Sequence, residues 1–378
     1  MSAASRRAAA AVVLALGVWA TAAAGDQQPS DAPAADALDR RHATIPRAEP
    51  VDTFASLSGA LRSGFQWLAR SDTARGAVLG LGSLDVNLVL RPADNARVFV
   101  DVEGLAGAGA DQKLGSLSRL HFDAERLEGR DTHVILKELW LRLAFLDERL
   151  RFSLGKLDPG HYFDRNFFAE DDSTQFLDAA LLNNPVLKPP PNGPGAAVRA
   201  SAGDWRYALG VHAPGDVDGD LSGLPFVIGE LGRRKIFALQ GHYRLWARVG
   251  SVPDAREHVT WASGVSIDQL VTRDIGVFVR AGLGRSEGEP LTSRAGSGGV
   301  QVTPTWLDRG KDRAGIGYSY QREPDGRETL VETYYTLALL ERLSVTANVQ
   351  WLVSGPNRVT ERANRHAVVP GLRALLLF

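Results

Sequence analysis

The sequence predicts an all-β fold, a transmembrane antiparallel β-barrel of about 16 strands, and three observations support this. Most of the chain after residue 55 alternates apolar and polar residues with period two, which gives each strand one apolar and one polar face. The connections alternate between short and long along the chain. The chain ends on Phe378, directly after an alternating segment. Together these features predict short periplasmic turns and longer extracellular loops.

The N-terminus has the pattern of an export signal. Two arginines precede an Ala- and Leu-rich apolar run that ends in small residues near Ala24. We therefore predict a signal peptide over 1–24, a flexible mature N-terminus over 25–54 and the barrel domain over 55–378. The alternative, an uncleaved anchor, is disfavoured because the run is short for a spanning helix.

The strands follow from the alternation. Residues 343–353 place valines and Trp351 on one face and Ser, Thr, Asn and Gln on the other. The first predicted strand could also form a short helix. The predicted strands are 59–68, 76–90, 96–104, 133–145, 149–157, 194–202, 204–212, 231–239, 241–250, 259–270, 273–283, 294–305, 311–321, 327–339, 343–353 and 365–378.

The connections distinguish a barrel in lipid from a soluble sandwich, because only the barrel has a reason to alternate short turns with long loops. The predicted short links lie at Pro92–Asn95, Asp147–Glu148, Gly203, Thr272, Leu307–Gly310 and Glu341–Arg342. The predicted long links are 105–132, 158–193, 213–230, 251–258, 284–293 and 354–364.

Composition and motifs argue against other classes of protein. The 378 residues include no cysteine, and the net charge of −1 gives no indication of nucleic-acid binding. Gly104, Gly107 and Gly109 lack the Lys-Ser/Thr pair of a phosphate-binding loop, and the eight histidines lack metal-ligand spacing. His366 lies on the outward face, but no serine can be placed beside it to form a barrel lipase. We therefore predict no catalytic residue, metal or cofactor.

The stretch from Gly155 to Pro185 combines aromatic residues, carboxylates and asparagines without a clear period. Long irregular loops are uncommon in compact domains, and exposed aromatic residues would be costly. We therefore predict that 158–193 bends into the barrel and narrows it. A lid that lies flat over the rim is the alternative.

Several motifs in this stretch resemble the carbohydrate-selective porins of the OprB type. The motifs are Gly155-Lys156-Leu157-Asp158, Tyr162-Phe163-Asp164, Asn166, Phe168-Ala169, Gln175-Phe176-Leu177 and Asn183-Asn184-Pro185. The preceding hairpin and the C-terminal PGLRALLLF are also similar to that family, and Glu170 stands where the family would have Asn. The resemblance implies a 16-stranded outer-membrane channel of a Gram-negative bacterium for mono- and small oligosaccharides.

A channel for sugars needs aromatic surfaces for the ring faces and planar or charged groups for the hydroxyls. The alternative for each candidate is a solvated wall position or a structural ion pair. The candidates on the lumen wall are Glu138, Arg142, Arg206, Arg244, Trp246, Arg248, Arg280 and Glu332. The candidates from the loop are Lys156, Asp158, Tyr162, Asp164, Arg165 and Phe167, with Tyr162 and Phe167 as stacking surfaces.

The expected partners are sugars as permeants, outer-membrane lipid and lipopolysaccharide. The terminal Phe378 resembles the signal that the barrel-assembly machinery reads. A homo-oligomer is possible on the same apolar outer face, and no nucleic acid is expected. A general diffusion porin and, less favoured, a structural or adhesive barrel remain alternative functions.

Overall fold

The structure is a computed structural model that describes residues 54–72, 74–121, 132–214, 223–252, 255–287, 293–324, 326–357, 359 and 363–378. Within these residues, sixteen strands form one closed antiparallel barrel, in which β1 pairs with β16. The strands are β1 (Ala55–Trp67), β2 (Val78–Ala93), β3 (Ala96–Gly107), β4 (Thr132–Phe145), β5 (Leu150–Leu157), β6 (Gly193–Ala202), β7 (Trp205–His212), β8 (Phe226–Arg234), β9 (Gly241–Val252), β10 (Ala255–Leu270), β11 (Ile275–Ser286), β12 (Ser293–Val302), β13 (Arg313–Glu323), β14 (Gly326–Leu340), β15 (Leu343–Pro356) and β16 (Ala363–Leu377). The predicted fold is confirmed. The predicted signal peptide, and all but the last residue of the predicted flexible segment, lie outside the described residues.

The alternation predicted from the sequence sets the two faces of each strand. On β15, Thr346, Asn348 and Gln350 are buried on the lumen side, whereas Val349 and Trp351 are exposed on the outer face. Closure of the ladder leaves no unpaired strand edge, which the interior of a membrane would not tolerate. The first strand, for which a helix was the alternative, pairs along its whole length with β2.

Three predicted segments have wrong boundaries. The strand predicted at 231–239 is β8, which begins at Phe226, inside the predicted 213–230 loop, and ends at Arg234, so residues 235–240 form the turn. Lys235 has a φ of 58°, a left-handed conformation that breaks the extended backbone, and Phe237 is exposed in the turn. The predicted 251–258 loop is too long, because β9 extends to Val252 and β10 begins at Ala255.

The two rims of the barrel differ. One rim carries the chain's two barrel ends, and Gly59 and Phe378 exchange backbone hydrogen bonds there at 2.9 and 3.0 Å. It also carries all six predicted short links and the 235–240 turn, so we call it the short-turn rim and expect it in the periplasm. The opposite, long-loop rim carries the connections 108–131 and 158–192. No helix among the described residues is long and apolar enough to cross a membrane.

Residues 158–192, here the inner loop, lie inside the barrel. The loop contains a 3-10 turn (Pro159–His161) and the short helix α2 (Ala179–Leu182), and the 108–121 segment beside it contains α1 (Asp111–Leu114). Phe176 and Leu181 of the loop pack in one buried cluster with Leu330 and Leu352 of the wall. Each large apolar side chain buried this way contributes about 1.5–3 kcal/mol. The predicted entry of the loop into the barrel is confirmed, and the flat lid is excluded.

Candidate functional site

The inner loop is fixed to the wall by a buried ion pair. Asp164 adopts a left-handed conformation, with a φ of 56°, and its carboxylate accepts hydrogen bonds from Trp246 Nε1 at 2.7 Å and from the Asn184 N–H at 2.9 Å. The Nε atom of Arg280 lies 3.1 Å from the same carboxylate. Asp164 thus joins the two ends of the loop to β9 and β11.

Arg280 also holds the loop through its backbone. Its guanidinium donates to the carbonyl oxygens of Ala169 at 2.8 Å, Leu181 at 2.7 Å and Asp164 at 3.1 Å. Arginine suits this position because its planar fork presents several donors at fixed angles and stays charged. One wall side chain therefore connects three separate points of the loop.

Wall carboxylates bind the peptide N–H groups of both inserted segments. Glu332 accepts from the N–H groups of Leu177 and Asp178 at 2.9 and 3.0 Å. Glu328 accepts from the N–H groups of Leu117 and Ser118, at 2.8 and 2.7 Å. These are charge-assisted hydrogen bonds, which are stronger than neutral ones and satisfy backbone donors that no strand pairs.

The inner loop reaches close to the short-turn rim. The side chain of Asn166 donates to Ile267 O near the end of β10, at 3.1 Å. Phe168 lies over Gly276, the second residue of β11, where any Cβ atom would overlap the phenyl ring. Glycine at this position makes room for the aromatic ring, as Gly210 does for Phe163 on β7. The wall is therefore shaped to receive the loop.

Six of the predicted substrate-contacting residues are buried and contact the loop instead, and Glu138, described below, is a seventh buried candidate. Asp164, Trp246, Arg280 and Glu332 are almost completely buried in the contacts above, and Arg248 donates to Thr260 Oγ1 and to Val186 O. Tyr162, predicted as a stacking surface, is 3% exposed and packs against Phe163 under the guanidinium of Arg199. In this structure these six side chains make structural contacts and do not face open lumen.

Lys156 is also misplaced by the sequence prediction. It belongs to β5 and pairs with Leu139 and Pro194, while its neighbour Gly155 pairs with the inward-facing Gly195. Because successive side chains on a strand point to opposite faces, Lys156 lies on the outer face of the barrel. It therefore cannot line the lumen.

The remaining seven predicted residues lie on the inner wall or the inner loop. Arg165 forms an ion pair with Glu170 at 2.8 Å, which gives a structural reason for an acidic residue at position 170, where the family would have Asn. Arg244 forms an ion pair with Asp268, also at 2.8 Å. Phe167 is only partly buried and meets Phe168 edge-on. The Arg142 guanidinium lies over the Trp140 ring, 4.5 Å from its centroid, and Arg206 donates to the carbonyl oxygens of Gly203 and Trp205. The Glu138 carboxylate lies 2.9 Å from His161 Nδ1, and the Asp158 carboxylate accepts from the Gly160 N–H at 2.8 Å.

Three arginines that were not predicted, Arg97, Arg151 and Arg199, lie on the same part of the inner wall. Arg97 pairs directly across the strands with Arg142, and Arg151 pairs with Arg199. Arg206 and Arg244 flank Gly232 on the next strands. These six residues, here the arginine sector, lie on β3 to β9 within four residues of the short-turn rim. Cross-strand register brings them together, and one sequence does not reveal register.

An acidic group lies further from that rim, on β2 and β3. Lys137 Nζ is 3.2 Å from Asp85, 3.9 Å from Asp101 and 3.1 Å from Glu103. The strand register shifts between Asp101 and Val102, and this bulge turns Lys137 into the lumen beside Glu138. Simple alternation would have placed Lys137 on the outer face, so its ion pairs with these carboxylates could not be predicted from the sequence.

Comparisons with known proteins agree with this architecture. The family model described as carbohydrate-selective porin, OprB family, matches residues 83–378. The high-pH structure of Pseudomonas putida OprB aligns with 14% identity and a TM-score of 0.69 over 87% of this chain and 95% of that one. A loop L8 deletion mutant of Vibrio cholerae OmpT aligns with 16% identity and a TM-score of 0.55, covering 86% of this chain and 99% of that chain. The Acinetobacter baumannii outer-membrane channel DcaP aligns with 12% identity and a TM-score of 0.55, covering 86% and 97%. No curated protein sequence matches the chain.

Proposed function

The chain belongs to the OprB family of carbohydrate-selective porins, and on that premise we propose that sugars cross its lumen between the inner loop and the arginine sector. The protein is an outer-membrane porin of a Gram-negative bacterium, with the fold of a channel rather than an enzyme. We propose the route through the lumen, the residues along it, and mono- and small oligosaccharides as the permeants.

The docked inner loop is the observation that carries the proposal. A 16-stranded barrel encloses an aqueous lumen wider than a sugar ring, so selection by size requires something inside it. Contacts to β9, β11 and β14 hold this loop across the lumen. Because Tyr162 and Phe163 of the loop also pack against β6 to β8, we place the passage along the arginine sector near the short-turn rim.

The chemistry of that side suits a neutral polyhydroxyl ligand. Arg142 and Arg165 present planar guanidinium groups that can bind paired hydroxyls. Phe167 offers a partly exposed ring for the apolar face of a sugar, and Asp158 offers a carboxylate that accepts from hydroxyls. We assign Phe167 to stacking and Arg142, Arg165 and Asp158 to hydrogen bonding, with Arg206 and Arg244 at the periplasmic exit.

A general diffusion porin is the second candidate. It is favoured by the burial of Tyr162 and Trp246, which removes two of the aromatic surfaces that the sequence predicted for sugars. Contact with the assembly machinery through Phe378, and a homo-oligomer, stay predictions from the sequence.

Single-channel recording with and without sugar tests the proposal. We expect small sugars to block the ion current of the wild-type channel, and Phe167→Ala with Arg142→Gln to weaken that block several-fold. Phe145→Ala removes an exposed ring from the outer face and serves as the matched control. Equal block in all three proteins would refute the assigned residues. Equal block by a sugar and by polyethylene glycol of the same size would favour the general porin.

A further inference from the structure

A row of arginines lies on the outer face of the barrel at the long-loop rim. Arg294 of β12 pairs directly with Arg322 of β13, and Arg322 pairs directly with Arg327 of β14. Arg285 of β11 lies diagonally beside Arg294 and pairs with the exposed Trp261. Because neighbouring strands are about 4.8 Å apart, the backbones of the three paired arginines lie within about 10 Å.

These four residues, here the outer arginine row, are exposed and form no ion pair with a described residue. The nearest strand carboxylates point into the barrel: Glu323 pairs with Lys188 at 2.8 Å, and Glu328 binds the 108–121 segment. Glu287, at the end of β11, forms no described ion pair with the row. Like charges directly opposite each other destabilise a sheet, so the row implies an anionic ligand.

The position of the row indicates what that ligand is. Tyr320, two residues below Arg322, and the exposed Tyr318 further down β13 give the aromatic belt expected where hydrocarbon meets the headgroups. The arginines therefore lie at the headgroup level of the leaflet on the long-loop side, which is the outer leaflet of the outer membrane. Its anionic groups are the phosphates of lipopolysaccharide.

Part of the same rim is different. At the equivalent height on β6 to β9, the outward residues are Pro194, Val211, Val227 and Val249, which are apolar. Next to them, β5 carries the single outward Lys156, whereas arginines pair directly across neighbouring strands on β12 to β14. A localised row of planar guanidinium groups binds phosphate in a bidentate manner, whereas a diffuse positive charge would not.

We propose that Arg285, Arg294, Arg322 and Arg327 form a binding site for the phosphate groups of lipid A on the outer face of β11 to β14. The site holds one lipopolysaccharide molecule against the barrel wall and neutralises the facing arginines. It is separate from the lumen, so it does not depend on the proposed sugar route.

Binding of purified lipid A to the full-length mature barrel in detergent tests this site. We expect native mass spectrometry to show retained bisphosphorylated lipid A on the wild type. Arg294→Gln, Arg322→Gln and Arg327→Gln together should weaken retention by about tenfold or more, since charge-assisted hydrogen bonds are lost. Arg233→Gln is the matched control, because Arg233 is also exposed on the outer face but at the short-turn rim; it should change nothing.

Further binding measurements distinguish lipid A phosphate from free phosphate and from other anionic lipids. Dephosphorylated lipid A should bind the wild type as weakly as bisphosphorylated lipid A binds the triple variant. Inorganic phosphate at millimolar concentration should not displace the lipid. Equal retention by the triple variant and the wild type, equal binding of dephosphorylated lipid A, or equal binding of phosphatidylglycerol would each overturn the proposal. If the triple variant does not migrate as a folded barrel, Arg322→Gln alone provides the comparison, with several-fold weaker retention expected.

Discussion

The guanidinium of Arg280 lies 3.1 Å from the Asp164 carboxylate, and both residues are 1% exposed. The two residues are 116 positions apart in the chain, on a wall strand and on the inner loop. Their contact is one of the main anchors of the loop inside the barrel, and the remaining guanidinium donors bind the loop's backbone.

Arg280→Met should release the inner loop. Removing one partner of a buried ion pair leaves the other charge uncompensated and costs about 3–5 kcal/mol. We expect larger single-channel conductance, loss of sugar block and faster proteolysis within residues 164–182. Arg285→Gln, on the outer face of the same strand, should leave all three unchanged. An unaltered conductance for Arg280→Met in a folded barrel would contradict the role given to this ion pair.

Glu332→Gln and Glu328→Gln should loosen different segments. Each carboxylate binds two backbone N–H groups, and hydrogen bonds to charged groups contribute about 1.5–3 kcal/mol. We expect hydrogen exchange to rise at residues 177–178 in the first variant and at residues 117–118 in the second. The two variants are controls for each other, so parallel changes in both segments would show that the contacts are not independent.

Gly276→Val should displace Phe168 from the wall. The added side chain would occupy the position of the ring, and overpacking of this kind costs about 1–3 kcal/mol. We expect a changed conductance in a barrel that still assembles. Gly296→Val, on the outer face of β12, meets no close neighbour and should behave as the wild type. Identical conductance of the two variants would argue against the placement of Phe168.

His161 should make the first turn of the inner loop sensitive to pH. Desolvation by the surrounding protein would lower its pKa, although half of the side chain is exposed to solvent, but the carboxylates of Glu138 and Asp158 outweigh this and the nearby Lys137, and raise the pKa of His161 to about 9. The ordinary value is 6.5, so the stabilisation by the protonated imidazole is complete below pH 6.5 and is lost as the pH rises through 9. The thermal midpoint of the wild type should exceed that of His161→Gln at pH 6 and match it at pH 10. A difference that is constant with pH would exclude the titration.

The faces of the strands could be predicted from the sequence, but not what covers them. Alternation correctly placed Trp246, Arg280 and Glu332 on the inner face, because a period of two is a local property of the chain. Their burial depends on a loop that is distant in the sequence. For example, Arg248 donates a hydrogen bond to Val186 O of the loop, which lies 62 residues earlier in the chain. Lys137 was missed for another reason: a bulge changes the face of one residue, and no turn residue marks it.

The contacts of the inner loop also set an order of events during assembly. Ser173 meets Thr346 across 173 residues, and Gln175 meets Arg373 across 198. These partners belong to the last two strands, so the loop cannot take its final position until the C-terminal end of the barrel is in place. We therefore expect loop docking to be completed together with or after closure of the barrel, so that molecular sieving is a property of the fully folded chain only.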